Sequence, residues 1–236
     1  MNNRDLNLYS FVLNCGFKEE DIIPIKNDAS FRKYYRIKNK KLIVMDAPPD
    51  KGESIEQFRT ISDIIHTFNL SAPQIVSFDT KQGFMLLEDF GQTSFSNILN
   101  KDNESKLYKK AIEVLIQINK QSKSKEKKIS KLKSYSIDLL VNESLLFIDW
   151  YLEKRKGELV SSDQKKEFIK ILNDFYNYLK PQSSTLVLRD YHVDNLCFLN
   201  NQKSLKQVGL IDFQDAVIGS PLYDLASLLE DVRRPL

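Results

Sequence analysis

Long apolar runs are missing from this chain of 236 residues. No stretch approaches the roughly 20 apolar residues that cross a bilayer. The opening Met1-Asn2-Asn3-Arg4-Asp5 lacks the apolar core of a signal peptide, so the sequence predicts a cytoplasmic protein with no membrane partner. Cysteine is scarce too. Cys15 and Cys197 are the only two, and neither redox nor metal-ligand spacing joins them, which predicts two buried free thiols. Charge of one sign is also lacking. The formal net charge of +3 comes from dispersed Lys and Arg, which gives no reason to expect a nucleic-acid partner. No G-x-G-x-x-G occurs, so any phosphate bound here is held without a glycine cradle. No internal repeat is visible. What remains, 42% hydrophobic and 28% charged residues, is ordinary for a globular protein of one large domain or two lobes.

What the chain does have is a dense polar cluster between apolar runs. Leu188-Arg189-Asp190-Tyr191-His192-Val193-Asp194-Asn195 follows the strand-like Thr185-Leu186-Val187 and precedes Leu196-Cys197-Phe198-Leu199; a second apolar run, Val208 to Ile211, ends in Asp212-Phe213. A strand that delivers Asp190 to a loop, a return strand that begins at Asn195 and a third that brings Asp212 alongside aim three oxygen-bearing side chains at one cleft. Such a set suits Mg²⁺, a hard cation that keeps part of its water. In kinases, an Asp in this place accepts the proton of the attacking hydroxyl, and a downstream Asn and Asp hold the metal. Those roles fall to Asp190, Asn195 and Asp212. Taken singly, Asp190 and Asp194 also read as turn residues and Asn195 as a loop cap.

Together with Asp28 to Arg36 (DASFRKYYR), Val44 to Pro49 (VMDAPP), Leu186 to Asn195 and Ile211 to Leu229 (IDFQDAVIGSPLYDLASLL), these residues make nearly the whole chain resemble the aminoglycoside phosphotransferase-like kinases. Within them it is most similar to the bacterial N-acetylmuramate/N-acetylglucosamine kinases, which phosphorylate the anomeric hydroxyl of cell-wall sugars. The resemblance implies an α+β, protein-kinase-like two-lobed fold. Residues 1–88 would form an N-lobe around a small antiparallel sheet, and residues 89–236 a mainly helical C-lobe. It further implies ATP and Mg²⁺ as cofactors, a small-molecule sugar as partner and a place in peptidoglycan recycling. Another small alcohol or an aminoglycoside-like acceptor remains an alternative, as does a nucleotide-binding pseudokinase. In the kinases resembled, further helices follow the one that begins near Tyr223-Asp224; the short stretch from there to Arg233-Arg234-Pro235-Leu236 therefore predicts an incomplete acceptor side. Oligomeric state leaves no trace in the sequence.

Periodicity fills in the elements. Leu6, Tyr9, Leu13 and Phe17 predict an opening amphipathic helix that stops near Gly16. Residues 31–37 and 41–45 read as a hairpin about Lys38-Asn39-Lys40, and Ile55, Phe58, Ile61, Ile65 and Phe68 as a helix. Residues 74–78 and 84–87 return to strand, and Glu88 to Gln92 would be the hinge. Three helical stripes follow: Leu107 to Ile118; Leu140, Leu145, Ile148 and Tyr151; and Phe168, Ile171, Leu172, Phe175 and Leu179. All three, with Trp150, are expected in the core. Ser161 and Gln164 suggest a capping box, and the Lys- and Ser-rich 120–133 a solvated, mobile loop.

Against the kinase pattern, Asp28-Ala29-Ser30-Phe31-Arg32 stands where a glycine-rich loop is usual, and Met45 or Asp46 where the phosphate-pairing Lys belongs. Ser30, Phe31, Arg32 and Arg36, with Glu88 at the hinge, are the candidate nucleotide-binding residues; an Arg can offer phosphate a fork of charged donors. Leu188 replaces the His that usually supports the catalytic loop. His192 and Asp215 are candidate substrate contacts, and Asp224 is expected to cap the last helix and brace the catalytic loop.

Overall fold

A computed structural model describes residues 3–25, 31–179 and 183–231. The chain opens with helix α1 (Asn3–Asn14), then strands β1 (Ile22–Pro24), β2 (Lys33–Ile37) and β3 (Leu42–Asp46), helix α2 (Ile55–Thr67), and strands β4 (Ile75–Asp79) and β5 (Phe84–Glu88). These strands form one antiparallel sheet in the order β1-β2-β3-β5-β4. The β2–β3 hairpin turns at Asn39, whose φ of 57° lies in the left-handed region that Asn tolerates. The edge strand β1 escapes a period-two reading because Pro24 interrupts it, and an edge is where a sheet accepts proline.

Each face of the sheet has its own cover. Leu8, Phe11 and Val12 of α1 pack with Ile37, Val44 and Leu86 on one face. The buried stripe of α1 is therefore offset from the predicted one: Leu6 and Leu13 are 51% and 66% exposed, because the sheet engages positions 8, 11 and 12. On the other face, Met45, Met85 and Leu87 share a core with Ile61 and Ile65 of α2 and with Phe68 just past its end, as the helical spacing of these three predicts.

The helical half contains α3 (Phe95–Ile98), α4 (Glu104–Ser124), α5 (Glu126–Ile129), α6 (Ile137–Leu146) with a π-helical continuation Phe147–Lys156, and α7 (Ser162–Tyr178). It ends in β6 (Thr185–Val187), β7 (Leu196–Phe198), β8 (Val208–Leu210), β9 (Val217–Gly219) and α8 (Tyr223–Leu229). β6 pairs with β9 and β7 with β8, both antiparallel. The apolar stripe of α4 enters the same core as the sheet, and so do Leu186, Leu188, Leu210 and Leu228. One core thus runs from sheet to helices. Backbone bonds reinforce it: Leu210 donates to the carbonyl of Ser71 at 2.8 Å and Phe198 to that of Thr93 at 2.8 Å.

Two expectations about the helices fail. Residues 120–133 are largely helical, because α4 continues to Ser124 and α5 follows; Lys and Gln are good helix formers. The segment is also tied down. Lys125 bonds the Thr67 carbonyl, and Ser122, 1% exposed, accepts bonds from Thr185 Oγ1 and the Leu186 amide, both at 3.0 Å. The third stripe does not join the main core, and the second does so only in part: Ile148 is buried at 3% exposure and Leu140 packs against the small cluster of Tyr135, Val187 and Val217, while Tyr151 is 42% exposed. α6 and α7 pack on each other, the third stripe buries none of its residues, and Trp150 is 61% exposed with the Lys154 ammonium 4.1 Å from its ring centroid. The Ser161–Gln164 capping box is present, with reciprocal bonds of 2.9 and 3.2 Å.

Candidate active site

The catalytic loop alternates between core and cleft. Leu188, Tyr191 and Val193 are 3%, 2% and 2% exposed, and the Tyr191 hydroxyl donates to the Ala111 carbonyl of α4 at 2.8 Å. Arg189 and Asp190, between the first two, are turned outward as a consequence, whereas His192 is buried like its neighbours. Arg189 adopts φ +73°, a left-handed conformation that costs a non-glycine residue about 1 kcal/mol or more. Asp224 holds that turn in place. Its carboxylate accepts the amides of Leu188 at 2.7 Å and Arg189 at 3.0 Å. It therefore braces the loop as predicted but does not cap α8, whose N-cap position is Leu222 without a side-chain bond. Burial pushes the Asp224 carboxyl up to about 7 against the lowering effect of those two amides. Leu188, standing in for a supporting His, contributes packing while its own amide is held by Asp224.

Asp190 projects from this braced turn. Partial burial first, and the charge of Asp212 second, raise its pKa above the usual carboxylate value, which makes it a stronger base than a free Asp. The Asn195 amide nitrogen donates to the Asp190 carbonyl at 3.0 Å, and the Ile211 amide donates to the Asn195 carbonyl at 3.1 Å. β7 and the segment after β8 are thereby locked side by side. Asp212 has φ +56° and its side chain is 42% exposed. Phe213, beside it, is buried with its ring centroid 4.8 Å from that of Phe58 in α2. Asp215 joins the cluster through Gln214, whose Nε2 donates to Asp212 Oδ1 at 3.0 Å and Asp215 Oδ2 at 3.1 Å.

The nucleotide-binding candidates separate. Arg32 reaches the cluster: its Nη2 lies 3.5 Å from Asp212 Oδ1 and 3.9 Å from Asp215 Oδ2, and its Nε 3.2 Å from Glu53 Oε2. Arg36 is engaged by Asp89 at the hinge, with one bond of 3.1 Å. Phe31 is 62% exposed. Glu88 ends β5 and accepts the Gln74 amide at 3.3 Å. Ser30, Asp28 and Ala29 lie outside the described residues. His192 is only 9% exposed and its Nε2 lies 3.3 Å from Asn195 Nδ2, so in this structure it contacts Asn195 within its own loop. Of the two cysteines, Cys197 is buried and its thiol is pushed up to about 12 by burial; Cys15 is half-buried.

Sequence reasoning missed Glu53, Gln214 and Asp89. Gln214 was the most accessible of these, since it sits between two acids in Asp212-Phe213-Gln214-Asp215. It also missed the group around Arg189, whose guanidinium bonds Glu143, as does the Tyr135 hydroxyl.

The donor set fits a Mg²⁺ ion. Asp212 offers a carboxylate, and because Asn195 spends its amide nitrogen inside the loop, its amide oxygen is the atom available to a metal. Among the described residues no three His, Cys, Asp or Glu side chains gather as a metal cluster, and Mg²⁺ characteristically takes one or two protein carboxylates plus water and substrate phosphate.

A two-lobed arrangement with a braced Asp loop and a second Asp opposite defines a protein-kinase-like phosphotransferase fold. The chain belongs to the phosphotransferase enzyme family (APH), whose profile matches residues 21–236. It is similar to the N-acetylmuramate/N-acetylglucosamine kinase of Pseudomonas aeruginosa, at 30% identity over 213 residues covering 89% of this chain and 60% of the relative. The kinase of the same name from Pseudomonas putida is 32% identical over 207 residues, covering 87% of this chain and 58% of the relative. This chain thus spans about 60% of the length of these curated relatives. Among solved structures, the gentamicin complex of the aminoglycoside phosphotransferase APH(2'')-IIa matches with a TM-score of 0.68 at 17% identity over 97% of this chain and 76% of the other. The ADP-bound APH(2'')-Ib matches with a TM-score of 0.66 at 17% identity over 96% and 76%.

Proposed function

We propose that this chain carries the nucleotide site and catalytic loop of an ATP-dependent kinase that phosphorylates the anomeric hydroxyl of an amino sugar, N-acetylmuramate or N-acetylglucosamine. The observation that carries the reading is the pairing of Asp190, on a turn braced by Asp224, with Asp212, whose charge it feels across the cleft. The names of the Pseudomonas relatives supply the acceptor.

In this reading, ATP lies between the sheet and the helical half, with the lobe boundary at residues 88 and 89. Asp190 orients the sugar hydroxyl and takes its proton as the oxygen attacks the γ-phosphate. Asn195 and Asp212 hold Mg²⁺, which when bound neutralises phosphate charge. Gln214 keeps Asp212 and Asp215 together, and Asp215 lies close enough to orient acceptor or metal. Most of the rate comes from placement and charge neutralisation. The setting is the cytoplasm.

A panel of amino sugars incubated with ATP, Mg²⁺ and the purified chain, read by ADP release and by identification of the sugar 1-phosphate, tests it. Saturable turnover on N-acetylmuramate or N-acetylglucosamine is expected; turnover confined to other alcohols would overturn the acceptor. A second reading, nucleotide binding without turnover, draws on the absence of a Lys from β3. ATP binding with no ADP release for any acceptor would favour it.

A further inference from the structure

A phosphate-binding kinase needs a cation over its phosphates, and β3 does not provide one. In the β2–β3 register Tyr34 lies opposite Met45 and Lys33 opposite Asp46. Met45, on the cleft-side face, is 1% exposed within the main core, so its place is filled by packing. Asp46 points to the other face and is held by Arg4 of α1. Of the two arginines flanking and within β2, Arg36 is committed to Asp89.

Arg32 stands differently. Its side chain is 11% exposed, and its guanidinium is shared by three carboxylates: Glu53 on the Nε edge at 3.2 Å, and Asp212 and Asp215 facing Nη2 at 3.5 and 3.9 Å. Tyr34, on the same strand face, feels Arg32, Asp212 and Glu53 together, so the group is compact. Glu53 immediately precedes Ser54, which caps α2 by accepting the Gln57 amide at 3.3 Å, and so is anchored on a rigid element. One cation therefore balances two acids of the metal site while a third, anchored acid holds its edge.

We propose that Arg32, oriented by Glu53, is the phosphate clamp of this chain in place of the missing strand lysine, and that without nucleotide the same guanidinium serves as the counter-charge of Asp212 and Asp215. This rests on the kinase reading. A guanidinium presents a planar fork that matches phosphate oxygens as well as carboxylates. When Mg²⁺ takes over the two acids, the Nη2 edge exchanges carboxylate for phosphate while Glu53 keeps the Nε edge.

The two halves give effects of opposite sign in one variant. In Arg32→Met, affinity for ATP falls about tenfold or more, the worth of a lost charge-assisted contact, while adenosine, which has no phosphate, binds as before. In the same variant without nucleotide, Mn²⁺ as a probe of the acidic pair binds several-fold tighter, since its competitor is gone. Arg32→Lys, which keeps the charge and loses the fork, falls between. Glu53→Gln weakens ATP several-fold and leaves adenosine unchanged. Calorimetry for nucleotides and paramagnetic resonance for Mn²⁺ read all of this without turnover. Equal ATP affinity in wild type and Arg32→Met would overturn the clamp, as would parallel loss of ATP and adenosine. Unchanged or weaker Mn²⁺ binding would overturn the counter-charge. Failure of the wild-type chain itself to bind ATP would instead sink the kinase reading, and the clamp with it.

Discussion

Asp190 is where geometry and acid–base chemistry meet. Replacing it with Asn removes the proton acceptor while keeping size and turn, so kcat should fall roughly a hundredfold or more with ATP affinity essentially retained. Stopped-time ADP assays beside calorimetry check this. The base works ionised, and its pKa is raised from the ordinary 3.8. Rate should therefore be lost as pH falls through that raised value, placing the acid limb of kcat/KM above the range of a free Asp. A second prediction concerns Asp224. Its folded pKa of about 7 lies above the ordinary 3.8; between those values the folded chain holds a proton that the unfolded chain has released. This group therefore contributes stability that is full at acid pH and lost as pH rises toward 7, with a slope of up to about 1.4 kcal/mol per pH unit. Asp224→Asn should flatten that slope in denaturant unfolding measured from pH 5 to 8. An unchanged slope would show that the carboxylate is ionised in the fold throughout.

At the scale of elements, the hinge and the catalytic hairpin meet at Gly209. A Cβ there would lie 2.6 Å from the Phe90 ring, closer than real contacts allow. Gly209→Ala should cost about 1–3 kcal/mol through overpacking, seen as a lower denaturation midpoint with an unchanged m-value. How well each element could be read from sequence follows from what dictates its residues. α2 and α4 were legible because one broad core takes their whole apolar stripe. That Asp190, Asn195 and Asp212 stand near one another was legible because phosphoryl transfer calls for such residues at such spacing; the structure ties Asn195 to Asp190 and Ile211 to Asn195, while their roles in the reaction remain the proposal. α7 was not. Its stripe has helical period, but Ile171, Phe175 and Leu179 stay 58%, 52% and 51% exposed, since periodicity shows that a face is apolar and not what it meets. Glu53 was invisible for a related reason: its meaning comes from Arg32, an element away, and no local pattern links the two.

For the molecule as a whole, the shared core matters more than the division into lobes. Met85 and Leu87 of β5 lie in the same cluster as Leu186 of β6 and Leu188 of the catalytic loop, and the Ser71 hydroxyl donates to the Lys206 carbonyl at 2.9 Å. Sheet and helical half should therefore open together. Hydrogen exchange resolved by segment should give β5 and β6 a common, high opening free energy, and α7, none of whose residues is fully buried, a much lower one. Separate high-energy transitions for β5 and β6 would contradict the single core.

Met45 also bears on Arg32. A lysine at that position would bring a charge into a site 1% exposed, beside Tyr34 and Met85, at a cost of several kcal/mol, while Arg32 still occupied the acids it was meant to serve. A single substitution toward the ordinary kinase arrangement is thus worse than either arrangement complete. Residues 32 and 45 are therefore expected to be energetically coupled: Met45→Lys should cost more stability in the wild-type chain than beside Arg32→Met, as a double-mutant cycle would measure.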